Sequence, residues 1–273
     1  GDESENIRAL GLRIARRHRL PVEPVVRRLV RDKSALVRRE CAVSLHRLTS
    51  AESVQLWTEI AEQYDGKDRW YLEALGIGEK GKETACLNTW LKNTRDTWKT
   101  AAGRDIIWRS RAPEAAALLA KLLLNPNVPR AEHSRLVRAL DFHDIKPKEA
   151  ALTALLEGDA KRNPATYLEA FQRATPKFLE KHPEVLKRVE SAMLASKGTV
   201  TFVDMVSLFH RKDMVKHLMD MVQSTPENEP GVRAAGQIFA FKEGHRIAAA
   251  LNKPNQAPAL LKALGFVGNN QAV

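Results

Sequence analysis

Cysteine is nearly missing from this chain. Two occur in 273 residues. Cys41 and Cys86 each fall on the apolar face of their own helix in different repeats, so both read as buried free thiols, and neither a compartment nor a metal follows from them. Long apolar runs are missing too. The longest, Ala115–Leu124, is broken by Lys121 and is too short to cross a bilayer. No secretory leader is written at the start, where Gly1-Asp-Glu-Ser4 reads as a cut or cloned end. No H-E-x-x-H, paired C-x-x-C or G-x-S-x-G occurs, and no nucleophile, base and orienting acid can be identified together. These gaps leave the chain without a catalytic set, a metal site or an implied cofactor, and it is expected to be no enzyme.

What is present is a helical unit that recurs. Copies start near Ile7, Val37, Trp70, Trp98, His133, Tyr167, Phe202, Val232 and Leu260, each roughly 28 to 36 residues after the last. Each copy reads as an apolar helix followed by a second one. The pattern predicts an all-α fold, an α-α superhelix of HEAT or armadillo type with eight to nine repeats, in which no helix pair buries its apolar face without its neighbours. With 44% apolar and 28% charged residues the chain is ordered, and residues 1–273 read as one elongated repeat domain.

Local signals set the repeat boundaries. Val22, Val25, Val26, Leu29 and Val30 follow helical spacing, with Pro21 in the first turn, and Val37, Cys41, Ala42, Leu45 and Leu48 share the next apolar face. Thr49 and Glu52 suggest a capping box for the helix of Val54, Trp57, Ile60 and Ala61. Prolines after Asn163, Thr175, His182 and Thr225 each start a helix behind an N-cap residue. Regularity weakens over 175–200. Pro176 and Pro183 leave room for only a short inserted helix, and a kink is expected there. Thr199–Val203 alternates like a strand, but Phe202, Val206 and Phe209 continue at helical spacing, so helix is expected.

Charge is uneven. Of a net +11, residues 1–47 contribute 12 Lys+Arg against 6 Asp+Glu. Arg16, Arg17, Arg27, Arg28, Arg31, Arg38 and Arg39 suggest a ridge over the first two repeats that attracts phosphate or acidic partners. The same residues also suit a plain solvated face, because arginine is a good helix former whose stem covers apolar surface.

Several motifs have plain explanations. Gly76-Ile-Gly78-Glu-Lys-Gly81 matches G-x-G-x-x-G, but it closes a helix where dinucleotide binding needs a strand before it and a helix after it, so the glycines are expected to serve a left-handed C-cap. His210 and His217 lack a third ligand, and Asp65-Gly-Lys-Asp68 is turn chemistry. The aromatic and arginine cluster is richer. Trp70, Tyr71, Trp90, Trp98 and Trp108-Arg109-Ser110-Arg111 recur at equivalent depths of consecutive repeats. Such groups either fill the wedge between repeats or stack on bases or an acidic peptide, with Trp70, Tyr71, Trp108, Arg109 and Arg111 the candidates for contact and Trp108-Arg109-Ser110-Arg111 the foremost of them.

The phrases Glu5-Asn-Ile-Arg-Ala-Leu-Gly-Leu-Arg13, Ser34-Ala-Leu-Val-Arg-Arg-Glu40, Asp68-Arg-Trp-Tyr-Leu-Glu-Ala-Leu-Gly-Ile-Gly78 and Ile107-Trp-Arg-Ser-Arg111 together resemble the HEAT-repeat region of large membrane-bound dehydrogenases of planctomycetes and verrucomicrobia. In that family a propeller-like, sorbosone-dehydrogenase-like domain precedes the HEAT region and a cytochrome c module with a C-x-x-C-H haem site follows it. The likeness is best over the first 110 residues. This chain has neither C-x-x-C-H nor a propeller, so the resemblance implies a non-catalytic scaffold or protein-interaction module within an exported, extracytoplasmic redox protein, bound to a protein partner or to neighbouring domains. The alternative is a basic HEAT-like nucleic-acid-binding protein similar to alkylpurine DNA glycosylases. It is weakened because no catalytic aspartate stands beside the tryptophans. A bilin-lyase-like enzyme is a third class, for which the chain offers no distinctive signal.

One last expectation concerns residues 257–267. Leu260, Leu261, Leu264 and Phe266 read as an inward face with no second helix to cover it, so this segment should fray or pack against another copy.

Overall fold

The computed structural model describes residues 2–158 and 163–268, and among them every regular element is helical: eighteen α-helices and four short 3-10 turns, with no strand. The chain divides into two compact units, Gly1–Leu155 and Leu156–Val273, within the span that the sequence reads as one repeat domain.

In the first unit the helices are α1 (Glu5–Arg17), α2 (Glu23–Leu29), α3 (Ala35–Ser44), α4 (Ala51–Ala61), α5 (Arg69–Gly78), α6 (Glu83–Thr94), α7 (Ala101–Arg109), α8 (Pro113–Leu124) and α9 (His133–Ala139), and α10 (Ile145–Glu157) carries the boundary. They stack as two layers. Helices α1, α3, α5, α7 and α9 follow one another in one layer, and α2, α4, α6 and α8 in the other. This is how a repeat protein buries apolar surface: each helix covers the next. Trp57 of α4 is fully buried and its Nε1 donates to Leu75 O of α5 at 2.8 Å, so its bulk fills the wedge and its one polar atom is satisfied.

The second unit contains α11 (Pro164–Phe171), α12 (Pro176–Lys181), α13 (Glu184–Ala195), α14 (Val200–Leu208), α15 (Val215–Ser224), α16 (Glu229–Ala240), α17 (Gly244–Leu251) and α18 (Ala257–Val267). Helix α12 is the short inserted helix expected between the two prolines. Helices α14, α16 and α18 pack in succession, with α15 against α16. Both units use one tyrosine device. Tyr71 Oη donates to Ile60 O and Tyr167 Oη to Leu156 O, each across a separation of 11 residues.

Eight of the nine expected repeat starts lie inside helices, and Trp98 lies in the 3-10 turn Arg95–Lys99 that leads into α7. Asn163, Thr175 and Thr199 cap their helices by accepting from the backbone N–H three residues on. Other punctuation shifts. Ser50, not Thr49, caps α4, accepting from Ser53 N at 3.0 Å. Pro24 rather than Pro21 occupies the first turn of α2, and α16 begins behind Asn228, beyond Pro226. Helix α13 follows Pro183 without a side-chain cap. The glycine motif is also corrected. Only Gly81 takes a left-handed φ, of +88°. Gly76 and Gly78 are still helical, and a Cβ at either would strike the Arg109 guanidinium or the Ala42 carbonyl. In α18, Leu260 and Ala263 point inward, whereas Leu261 and Phe266, expected inward, are both 61% exposed.

Candidate interaction surface

The expected arginine ridge is resolved into pairs. Arg16 and Arg17 lie on α1 and Arg38 and Arg39 on α3, in one layer, whereas Arg27, Arg28 and Arg31 lie on or beside α2 in the other. Most meet a carboxylate about one repeat further on. Arg27 pairs with Glu52, Arg31 with Glu59 at 2.9 Å, Arg16 with Glu40 at 3.4 Å and Arg39 with Asp68 at 3.3 Å. Arg38 donates to Tyr71 Oη at 3.2 Å and to Asp32 O at 2.6 Å. Among the described residues three of the seven reach no carboxylate: Arg38, held by that hydroxyl and carbonyl, and Arg17 and Arg28, both exposed. The ridge is therefore a set of ties between repeats, an arrangement that consumes charge rather than offering it.

The same logic runs along the layer. Arg8 makes a bidentate pair with Asp32 at 2.6 and 2.7 Å, Arg104 pairs with Glu132, and Arg135 reaches Asp105 at 2.7 Å. Hydrogen bonds from Arg104 first and then from Arg135 hold the Glu132 carboxyl down at about 2 against the opposing effect of burial.

The aromatic and arginine residues lie at the start of α5 and around the end of α7. Asp68 caps α5 by accepting from Trp70 N at 2.8 Å and Tyr71 N at 3.2 Å. That cap sets two adjacent rings on different faces. Tyr71 turns inward and is 2% exposed, which withdraws it from any surface, and Trp70 turns outward at 72%. Trp108 is half-buried. Its Nε1 donates to Arg135 O at 3.1 Å, and the guanidiniums of Arg69 and Arg135 each stand 5.9 Å from its ring centroid. Arg109 Nε donates to Glu73 at 2.8 Å over the space that Gly76 leaves. Arg111 turns back to the carbonyls of Trp108 and Ser110 and lies 4.6 Å from the ring centroid of Phe142, which is 57% exposed.

Beneath this surface lies a buried carboxyl. Glu79, 2% exposed, accepts from Ser110 Oγ and Arg111 N, both at 3.2 Å. Burial pushes it up to about 7 against those two hydrogen bonds. Lys82, also buried, gives its protons to Leu45 O and Gly78 O rather than to a carboxylate.

Of the aromatic and arginine candidates Trp70, Tyr71, Trp108, Arg109 and Arg111, Tyr71 is buried, Trp70 lies on α5, Trp108 and Arg109 on α7, and Arg111 in the turn between α7 and α8; Arg38 and Arg39 of α3 reach Tyr71 and Asp68. Arg69, Glu73, Arg135 and Phe142 were not singled out. Their signal was spacing: Arg109 and Glu73 are 36 residues apart and Trp108 and Arg135 are 27 apart, close to the repeat period. Among the described residues no group of three or more His, Cys, Asp or Glu could hold a metal, and no described helix is long and apolar enough to cross a membrane. Cys41 and Cys86 are buried, unpaired, and pushed up to about 12 by desolvation.

Layered helices, repeat-to-repeat ion pairs and an arginine–aromatic surface define an all-helical repeat protein. No family model, curated protein or solved structure matches the chain.

Proposed function

We propose that this chain is a non-catalytic helical-repeat scaffold whose first unit offers the exposed surface around Trp70 of α5 to a protein partner. One observation carries the reading: Trp70, in the first turn of α5 that Asp68 caps, is a large apolar ring left 72% exposed, and its neighbour Arg69 reaches the Trp108 ring. A protein contact uses such rings as anchors, and tryptophan and arginine dominate binding hot spots. The ion-pair ladder supports the same view, because arginines tied to their own carboxylates stiffen the frame but leave little charge for phosphate. The resemblance extends the proposal to a docking or spacer module within an exported redox protein of the membrane-bound dehydrogenase type.

The test is a photo-crosslinking residue at position 70, purification of the partner it captures, and titration of that partner against the Trp70→Ala variant. Binding should weaken at least about tenfold, a loss of roughly 1.4 kcal/mol, with thermal unfolding unchanged. Equal binding by the variant would overturn the assignment of this surface. Tight binding to duplex DNA at about 200 mM salt, or release of an alkylated base, would replace the scaffold with the nucleic-acid reading.

A further inference from the structure

Among the described residues one buried side-chain polar atom has no partner, and it is Nε2 of His143, a residue 9% exposed. Buried polar atoms are ordinarily satisfied, so an exception asks what holds it there. His143 stands at the joint between α9 and α10, directly after the 3-10 turn Leu140–Phe142. Of residues 140–146 Leu140 and His143 turn inward, and Asp141, Phe142, Asp144, Ile145 and Lys146 are exposed. The joint is thus fastened by one aliphatic side chain and one imidazole. That imidazole must stay neutral, because a buried cation whose Nε2 has no acceptor costs far more than a buried neutral ring.

Two charged groups act on the ring. Arg111, from the turn between α7 and α8, is half-buried and lies 4.6 Å from the ring centroid of the adjoining Phe142, and among the described residues its side chain meets no carboxylate. Asp144, on the same segment as His143, is exposed and screened by water. Arg111 is itself acted on by Arg109, Glu79 and Glu73, but Glu79 is buried and Glu73 is shared between Arg69 and Arg109. A second positive charge at His143 is therefore opposed, first by burial and then by Arg111, and the ring is held below its ordinary value of 6.5.

We propose that His143 is an acid-released latch on the α9–α10 joint: neutral, it packs inward beside Arg111, and protonated, it swings out with Phe142 and frees residues 140–146 from the body of the first unit. The sign follows from the closed ring's reluctance to take a proton. The closed joint is complete above pH 6.5 and is lost as pH falls below it, by at most a factor of about ten per pH unit. Glu79 answers with the opposite sign, since the fold prefers its carboxyl protonated. Acid loosening of this joint is therefore the signature of His143 rather than of Glu79.

Hydrogen exchange of the 273-residue chain, corrected for the intrinsic pH dependence of exchange, should show protection over residues 140–146 falling at least about fivefold between about pH 7.5 and about pH 5, with α3 and α5 unchanged. Nuclear magnetic resonance of the His143 ring in the parent chain should give a titration midpoint below 6.5, moving in step with the Phe142 ring, and Arg111→Met should raise that midpoint. His143→Gln, neutral throughout, should keep its protection at both pH values. Should that variant fail to fold, the ring titration of the parent still decides. A midpoint at or above 6.5, protection in the parent that is equal at both pH values, or the same acid loss in His143→Gln overturns the proposal.

Discussion

Arg104 places Nε on one oxygen of Glu132 at 2.8 Å and Nη2 on the other at 2.5 Å, a fork-on-fork pair across 28 residues. Neither residue finds the other through the local chain. The pair exists because α7 and α9 are successive helices of one layer, so it reports directly on repeat stacking. Its pH dependence follows from Glu132. The folded carboxyl is held at about 2, below its ordinary value of 4.5. The stabilisation is therefore present above pH 4.5 and is lost as pH falls towards 2.

Glu132→Gln should destabilise the first unit near neutral pH by about 1 to 2 kcal/mol, after allowing for solvent screening at this partly exposed site. The cost should vanish by about pH 2. Urea unfolding at pH 7 and pH 3 measures it, and an equal cost at both values would show that the carboxylate's charge is not what holds the repeats.

Glu79 behaves oppositely. Its folded carboxyl is pushed up to about 7 by burial, so the folded state prefers the protonated form. Any stability it contributes is complete below pH 4.5 and is lost as pH rises through 7. Glu79→Gln retains an acceptor for Arg111 N and a polar group for Ser110. The variant should match the parent at pH 5 and exceed it at pH 8 by on the order of 2 kcal/mol. A variant that is weaker at both pH values would show that the ionised carboxylate is needed.

Two glycines of one motif separate close packing from conformational freedom. At Gly78 a Cβ would press on the backbone carbonyl of Ala42, which cannot move without shifting α3, whereas at Gly76 it would meet the end of the flexible Arg109 side chain. Gly78→Ala should cost about 2 kcal/mol, and Gly76→Ala clearly less, because the guanidinium can swing aside. Thermal unfolding of both variants decides it. Equal losses would mean that Arg109 is as rigid as backbone.

Much of the fold was legible because helices and repeats are written locally. Apolar spacing located the repeat starts, and Asn163 and Thr175 announced their helices through side chains that cap within three residues. What failed was finer than one turn or longer than one repeat. Thr49 and Ser50 are both good caps, and only the path of the backbone chose Ser50. Trp70 and Tyr71 are neighbours in a helix, about 100° apart around its axis, so one is exposed and the other buried, and aromatic content alone could not separate them. The arginines were visible, but their carboxylates were chosen by stacking. A cationic ridge and a ladder of ion pairs therefore looked alike until the helices were set side by side.

That ladder also governs what the basic first repeats can bind. Arg27 and Arg31 are held by Glu52 and Glu59, which leaves Arg17 and Arg28 as the free cations of the original seven among the described residues. Polyanion binding by the parent chain should therefore be weak and sequence-indifferent, collapsing between about 50 and 200 mM salt. Replacing both acids, Glu52→Gln with Glu59→Gln, removes two negative charges and releases two guanidiniums on the same layer as Arg28. Affinity for heparin or duplex DNA at about 50 mM salt should rise, and the dependence of log K on log salt should steepen by about 0.9 for each additional phosphate engaged. Arg28→Ala in that background should reverse part of the gain. An unchanged slope in the double variant would mean that these arginines never reach phosphate, and that the basic composition of the first repeats serves their stacking alone.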